Sequence, residues 1–221
     1  MYNLKYSNTV LINLIIASII PFLIWGPFLP DMIVSVSALF FLYYVLKNNN
    51  FYYFNNIPFI TFLLFCIIST ICSLEAEDIS QSIKSSLFYF RIGVFSCFIW
   101  YLIDKDKNIL TYFYYTLILC FLALVIDGYF QFFTGENILG LKLINNRVSS
   151  FFGDELIMGS YLSRLFPLLF ALFLIKQKQK FEIYFIGLLF ILVDILIFVS
   201  GERSALFFLN LSSIFIIILI K

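Results

Sequence analysis

The stretch Ile109-Leu-Thr-Tyr-Phe-Tyr-Tyr-Thr-Leu-Ile-Leu-Cys-Phe-Leu-Ala-Leu-Val-Ile126 runs for 18 residues without a charge. As an α-helix it would extend ~27 Å, close to the ~30 Å of a bilayer's hydrocarbon core. A membrane β-strand would instead show about ten residues of alternating polarity. Similar runs lie on both sides of it. The whole chain of 221 residues is 62% hydrophobic and 21% aromatic, with 12% charged. A soluble domain is about a quarter charged. The reading is an all-α, polytopic integral membrane protein of about eight transmembrane helices in a single transmembrane domain. The spans fall near 9–29, 32–46, 57–74, 86–103, 109–133, 156–175, 182–200 and 204–220.

Between the runs lie turn and charge signals. Pro30-Asp31 separates the first two spans, Lys47-Asn-Asn-Asn50 opens a polar loop, and Glu75 to Ser86 is acidic and serine-rich. Residues 134–155 make the longest connection, and Gly201-Glu202-Arg203 is the shortest. The stretch from Thr9 to Leu29 is too long for a signal-peptide core and reads as a retained first span. Cys66, Cys72, Cys97 and Cys120 each sit inside an apolar run and read as small buried hydrophobes. There is no histidine, so no histidine base or metal ligand exists in this chain, and no metal site or cofactor is expected. A net charge of +1 argues against a nucleic-acid partner.

Cation placement sets an orientation. Alternate connections, counted from the N-terminus, hold Lys5, Lys47, Lys105, Lys107, Lys176, Lys178, Lys180 and Lys221, and the opposite ones hold Lys84, Lys142, Arg147 and Arg203. The excess of the first set places both termini in the cytoplasm. All the cations of that set are lysines, while the four arginines (Arg91, Arg147, Arg164, Arg203) fall in the outer half. On the helix rise, Arg91 lies ~8 Å and Arg164 ~12 Å below the outer end of its span, with Asp127 and Asp194 at ~9 Å. Charge in hydrocarbon is costly, so these four groups are candidates for a site, with an Arg164–Asp194 ion pair or snorkelling as the structural alternatives. Arginine offers a planar fork to phosphate oxygens, which points to an anionic ligand in the outer leaflet. Arg203 stands beside the free N–H groups that begin the last span. Asp154 and Glu155 read as first-turn caps of span six.

A resemblance becomes visible in the motifs. Asp127-Gly-Tyr-Phe-Gln131, then Gly135 and Gly140, then Arg147-Val-Ser-Ser-Phe-Phe-Gly-Asp-Glu-Leu-Ile-Met-Gly-Ser-Tyr-Leu162, then Ser200-Gly-Glu-Arg-Ser-Ala205 resemble the O-antigen ligase and polymerase superfamily of bacterial inner-membrane enzymes. The resemblance implies a glycosyl transfer from undecaprenyl-diphosphate-linked glycan to a lipid or glycan acceptor at the periplasmic face, without metal or nucleotide. It also implies that arginines hold the diphosphate, with Arg147 and Arg203 at the motif positions. Arg164 and Arg91 are further diphosphate candidates, with Asp127 and Asp194 supporting. No catalytic base is identified.

Members of that family are nearly twice as long and carry a large periplasmic loop with a histidine, so the chain is expected to correspond to an N-terminal half. Two other functions remain open on sequence grounds. One is a transporter or flippase using Arg91, Asp127, Arg164 and Asp194 as a path. The other is an inactive fragment acting as a structural subunit.

Overall fold

The computed structural model describes residues 2–175 and 180–219, and for 2–8 and 180 the backbone alone. The described residues are all-helical, with 83% helix and no strand. The helices are α1 (Tyr2–Ala17), α2 (Ile19–Trp25), α3 (Phe28–Asn48), α4 (Ile57–Cys72), α5 (Ile79–Phe88), α6 (Phe90–Lys105), α7 (Asn108–Thr134), α8 (Met158–Ile175), α9 (Lys180–Ser200) and α10 (Arg203–Leu219). Six helical stretches are long and apolar enough to cross a membrane, and two shorter apolar ones are Thr9–Trp25 and Arg203–Leu219. The protein is therefore a multi-pass membrane protein by helix length and composition. Of the lysines used for orientation, Lys176, Lys178 and Lys221, and the side chains of Lys5 and Lys180, lie outside the described residues.

Three boundaries differ from the sequence reading. The first span is two helices, because Pro21 has no N–H for the Ala17 carbonyl four residues back; α1 ends at Ala17 and Ser18 turns the chain. Pro30-Asp31 does not separate spans. Both residues lie in the first turns of α3, where a missing N–H costs little. The serine-rich stretch before span four is largely helix: Asp78 caps α5 by accepting from the Gln81 N–H at 3.0 Å.

The chain divides into two compact units. The first comprises residues 1–19 and 26–109. Here α3 packs along α6, and α4 packs on α5 and α6. Phe41, Val45, Val94, Phe98 and Leu102 form its buried core. At Gly93 a Cβ would fall 2.6 Å from the Phe62 ring, so any larger residue there would push that ring aside where α4 and α6 meet. Asn13, buried on α1, donates to Asp106 Oδ2 at 2.9 Å.

The second unit comprises residues 20–25 and 110–221. Helices α8, α9 and α10 pack on one another, and the core includes Leu117, Phe121, Leu124, Leu162, Phe166, Leu169, Val193 and Leu209. Gly128 of α7 lies against Leu196, and the Tyr129 hydroxyl donates to the Leu192 carbonyl at 3.0 Å. In lipid, apolar burial alone gives helices little reason to associate, so such close packing and interhelical hydrogen bonds specify the arrangement. Outside the core many large apolar residues are exposed, among them Phe133, Phe181, Phe198 and Leu219, as expected of surface that meets lipid.

Candidate functional site

Residues 135–157 connect α7 to α8, and α7 itself supplies the anchor. Asp127 and Gln131 are one turn apart on the same face, and both are fully buried. The Asp127 carboxylate accepts from the Ile138 N–H at 2.9 Å, the Ser150 hydroxyl at 2.5 Å and Asn137 Nδ2 at 3.4 Å. Gln131 Oε1 accepts from the Ser149 and Ser150 N–H groups at 3.0 and 2.7 Å, while its Nε2 donates to the Leu141 carbonyl at 3.1 Å. Asn137, also buried, accepts from the Leu139 and Leu141 N–H groups at 2.9 and 2.8 Å. A membrane interface cannot leave such backbone groups unpaired, and three side chains satisfy the loop from within. Asp127 thus holds the loop.

The loop presents Arg147 at a tight turn. Asn145 and Asn146 both have positive φ, at 50° and 59°, and Ile144 and Arg147 exchange backbone hydrogen bonds across them. This is the arrangement of a type I′ turn, for which asparagine is among the best suited residues. From there the Arg147 Nε donates to the Ser200 carbonyl at 2.6 Å, at the C-terminal end of α9. The next residue, Gly201, has φ +75°, and a Cβ on it would fall 2.7 Å from Arg147 Nε. Glycine is required there twice over, by the backbone and by the arginine.

Glu202 then reaches to the start of α8. Its Oε1 accepts from the Gly159 N–H at 2.6 Å, and its Oε2 accepts from the Ser160 N–H at 2.9 Å and the Ser160 hydroxyl at 2.6 Å. A carboxylate is favoured at a helix N-terminus by the orphan donors and the helix dipole. Gly159 has no room for a Cβ, which would lie 2.8 Å from both Glu202 Oε1 and Ser200 Oγ. The expectation that Asp154 and Glu155 cap this helix is corrected. The helix begins at Met158, both acids are exposed in the segment before it, and Glu202 satisfies its first N–H groups.

Arg203 is the first residue of α10 and is exposed. Arg164 is also exposed and lies one helical turn beyond Ser160, the residue that holds Glu202. Arg147, Arg164 and Arg203 therefore surround one junction, where α9 ends and α8 and α10 begin. None of the three forms an ion pair among the described residues. The pairing of Arg164 with Asp194 is not formed. Asp194 accepts instead from Asn210 Nδ2 at 2.8 Å, joining α9 to α10.

Arg91 belongs to the first unit and is already neutralised. Its guanidinium pairs with Asp31 Oδ2 at 2.7 Å and donates to Ser35 Oγ at 2.8 Å, both on α3, and stacks over Phe88. Of the cysteines, Cys66, Cys97 and Cys120 are buried, and Cys72 is exposed.

Sequence reasoning missed Glu202 and the Gln131–Asn137–Ser150 network. The i, i+4 spacing of Asp127 and Gln131 at the end of a long apolar helix was the available signal for the latter. For Glu202 it was the glycine on each side of the contact, Gly159 and Gly201. Neither the family models, the curated proteins nor the solved structures contain a match to this chain.

Proposed function

We propose that the junction of Arg147, Arg164 and Arg203 binds the diphosphate of a polyprenyl-linked glycan, and that the protein serves a membrane glycosyl transfer of the O-antigen ligase or polymerase type. The observation that carries this reading is the set of three arginines around the Glu202 cap that have no ion-pair partner among the described residues. Each offers N–H donors in the fork geometry that suits phosphate oxygens. The resemblance of the 127–131, 147–162 and 200–205 motifs supports the same substrate class. In the reaction, an acceptor hydroxyl oxygen forms a bond to the anomeric carbon while the carbon–oxygen bond to the diphosphate breaks. The electron pair leaves on the diphosphate oxygen, and the hydroxyl proton passes to the departing diphosphate or to water. Arginines contribute by holding charge as it develops on the leaving group.

The remaining topology follows from the cations. All eight apolar segments cross a bacterial inner membrane, both termini are cytoplasmic, and the arginine junction faces the periplasm. Binding tests the proposal. The chain is reconstituted in lipid nanodiscs and titrated with undecaprenyl diphosphate, and with undecaprenol as a control lacking phosphate. The diphosphate should bind and the alcohol should not. Arg147→Lys and Arg203→Lys should each weaken binding by roughly tenfold or more, the loss of one hydrogen bond to a charged group. Arg91→Lys, whose arginine already pairs with Asp31, should leave it unchanged. Equal binding by wild type and both junction variants would make these arginines interfacial anchors instead.

A further inference from the structure

Asp31 and Arg91 border a cavity of about 460 Å³ in the first unit, with Ser85, Phe88, Tyr89 and Ile92 completing its wall. A second cavity of about 430 Å³ shares Ser85 and Tyr89 with it and adds polar groups such as Gln81 and Ser82. The helix rise gives their level. From Lys105 to Arg91 α6 climbs ~21 Å, and from Lys47 to Asp31 α3 climbs ~24 Å. Lys47 and Lys105 lie over the rings of Tyr43 and Tyr101, the kind of anchors found at a membrane interface. The Asp31–Arg91 pair therefore stands near the opposite boundary of a ~30 Å hydrocarbon core, at the level of lipid headgroups.

The pair is neutral as a whole and open on both sides. Arg91 gives one N–H to Ser35 and one to Asp31, at 2.8 and 2.7 Å. Its Nε is buried and has no acceptor among the described residues. Phe88 stacks on the guanidinium, which leaves its remaining donors along the edge. Asp31 accepts through Oδ2, and its side chain is 60% exposed, which leaves Oδ1 to a second donor. A bare anion at Arg91 would compete with the Asp31 carboxylate, and a bare cation at Asp31 would compete with Arg91. A molecule that carries both charges on a short linker meets each with its opposite. The surroundings disfavour net negative charge, because the exposed Glu75, Glu77 and Asp78 outnumber Lys84 beside the cavity. Phe88 and Ile92, both exposed, supply an apolar wall next to the pair.

We infer that this cavity binds the headgroup of a zwitterionic phospholipid with a primary ammonium, the chemistry of phosphatidylethanolamine. The phosphate oxygens accept from the Arg91 N–H groups that Ser35 and Asp31 leave free. The ammonium donates to Asp31 Oδ1 and to Ser85 Oγ, which itself donates to the Gln81 carbonyl and so can accept. The glycerol and the first methylenes of the tails lie on Phe88 and Ile92. The site lies wholly within the first unit and is independent of the diphosphate reading.

The experiment uses the full chain, delipidated in detergent and titrated with three lipids of equal tails: phosphatidylethanolamine, phosphatidylglycerol and diacylglycerol. Bound lipid is read by native mass spectrometry. Phosphatidylethanolamine should bind about tenfold more tightly than either of the others, the worth of one charge-assisted hydrogen bond. Asp31→Asn should erase the preference over phosphatidylglycerol, because the ammonium loses its carboxylate. Ser85→Leu fills the cavity from an exposed position without touching the ion pair, and should weaken phosphatidylethanolamine by about tenfold. Equal binding of phosphatidylethanolamine and phosphatidylglycerol by the wild type would overturn the zwitterion site. Equal binding of diacylglycerol would show that the tails alone are recognised, with the same consequence. A preference that survives in both Asp31→Asn and Ser85→Leu would place the lipid elsewhere and leave this cavity without the role. None of these results bears on Arg147 or Arg203, so the two readings stand or fall separately.

Discussion

Replacing Glu202 by glutamine isolates the contact that joins the starts of α8 and α10. The carboxylate accepts three hydrogen bonds of 2.6, 2.9 and 2.6 Å from Gly159 and Ser160. Glutamine is nearly isosteric but has one acceptor oxygen. Its amide nitrogen must face either the Gly159 N–H or the Ser160 N–H, donor against donor. One charge-assisted bond is lost, worth ~1.5–3 kcal/mol, and so is the attraction between the charge and the helix dipole, worth ~0.3–1 kcal/mol. The expected loss is ~2–4 kcal/mol. Ser160→Ala, which removes only the hydroxyl bond to the carboxylate, should cost ~1.5–3 kcal/mol. The assay is reversible unfolding in mixed micelles with increasing dodecyl sulfate, read by tryptophan fluorescence. The chain has two tryptophans, Trp25 in the second unit and Trp100 in the first. A Trp100→Phe background therefore reports on the unit that contains Glu202. If Glu202→Gln unfolds within ~0.5 kcal/mol of the parent, the cap is not what holds the junction, and the positioning of Arg147 and Arg203 needs another cause.

Asp127→Asn should free the 135–157 loop, because an amide cannot accept from the Ile138 N–H and the Ser150 hydroxyl while also facing Asn137 Nδ2; limited proteolysis should cut the loop several-fold faster, and an unchanged rate would count against Asp127 as its anchor. Gly201→Ala should be more damaging than an ordinary turn substitution, since it combines φ +75° with a Cβ placed 2.7 Å from Arg147 Nε; a loss of ~1–3 kcal/mol is expected by the same unfolding assay, and a neutral effect would contradict the Arg147 contact. For topology, single cysteines at positions 105 and 145, in a background without the native four, should respond oppositely to an impermeant external thiol reagent, with 145 labelled; labelling of 105 would invert the orientation.

The long apolar helices were legible because their signal is additive over many residues. Asn108–Thr134 matches the expected span 109–133 to within a residue at each end. Proline was less readable, since its effect depends on position within the helix. Pro30 near the start of α3 and Pro167 inside α8 are both accommodated, whereas Pro21 coincides with a break. The candidate charges were legible as costly groups, but not their partners. Depth along a helix said that Arg164 and Asp194 were level. It could not say which face each occupied, and Asp194 faces Asn210. Asp127 was read as a charge at membrane depth. In the fold that depth is filled by the returning loop, which brings the Ile138 N–H, the Ser150 hydroxyl and Asn137 Nδ2 to the carboxylate.

The partners also separate the arginines. Arg91 is matched by Asp31, so an anion binding there would have to displace a carboxylate held at 2.7 Å. At the junction Glu202 has its carboxylate engaged by peptide and hydroxyl donors rather than by a guanidinium. Its charge is spent on the helix terminus, which leaves the positive charge of Arg147, Arg164 and Arg203 without a compensating side chain among the described residues. Like charges on the elements that meet at one junction repel each other, and an anion bound among them would relieve that repulsion. A diphosphate supplies that anion with enough oxygens for more than one fork. On the diphosphate proposal the arrangement is most stable with that anion bound, so undecaprenyl diphosphate should raise the unfolding midpoint of the second unit more than that of the first.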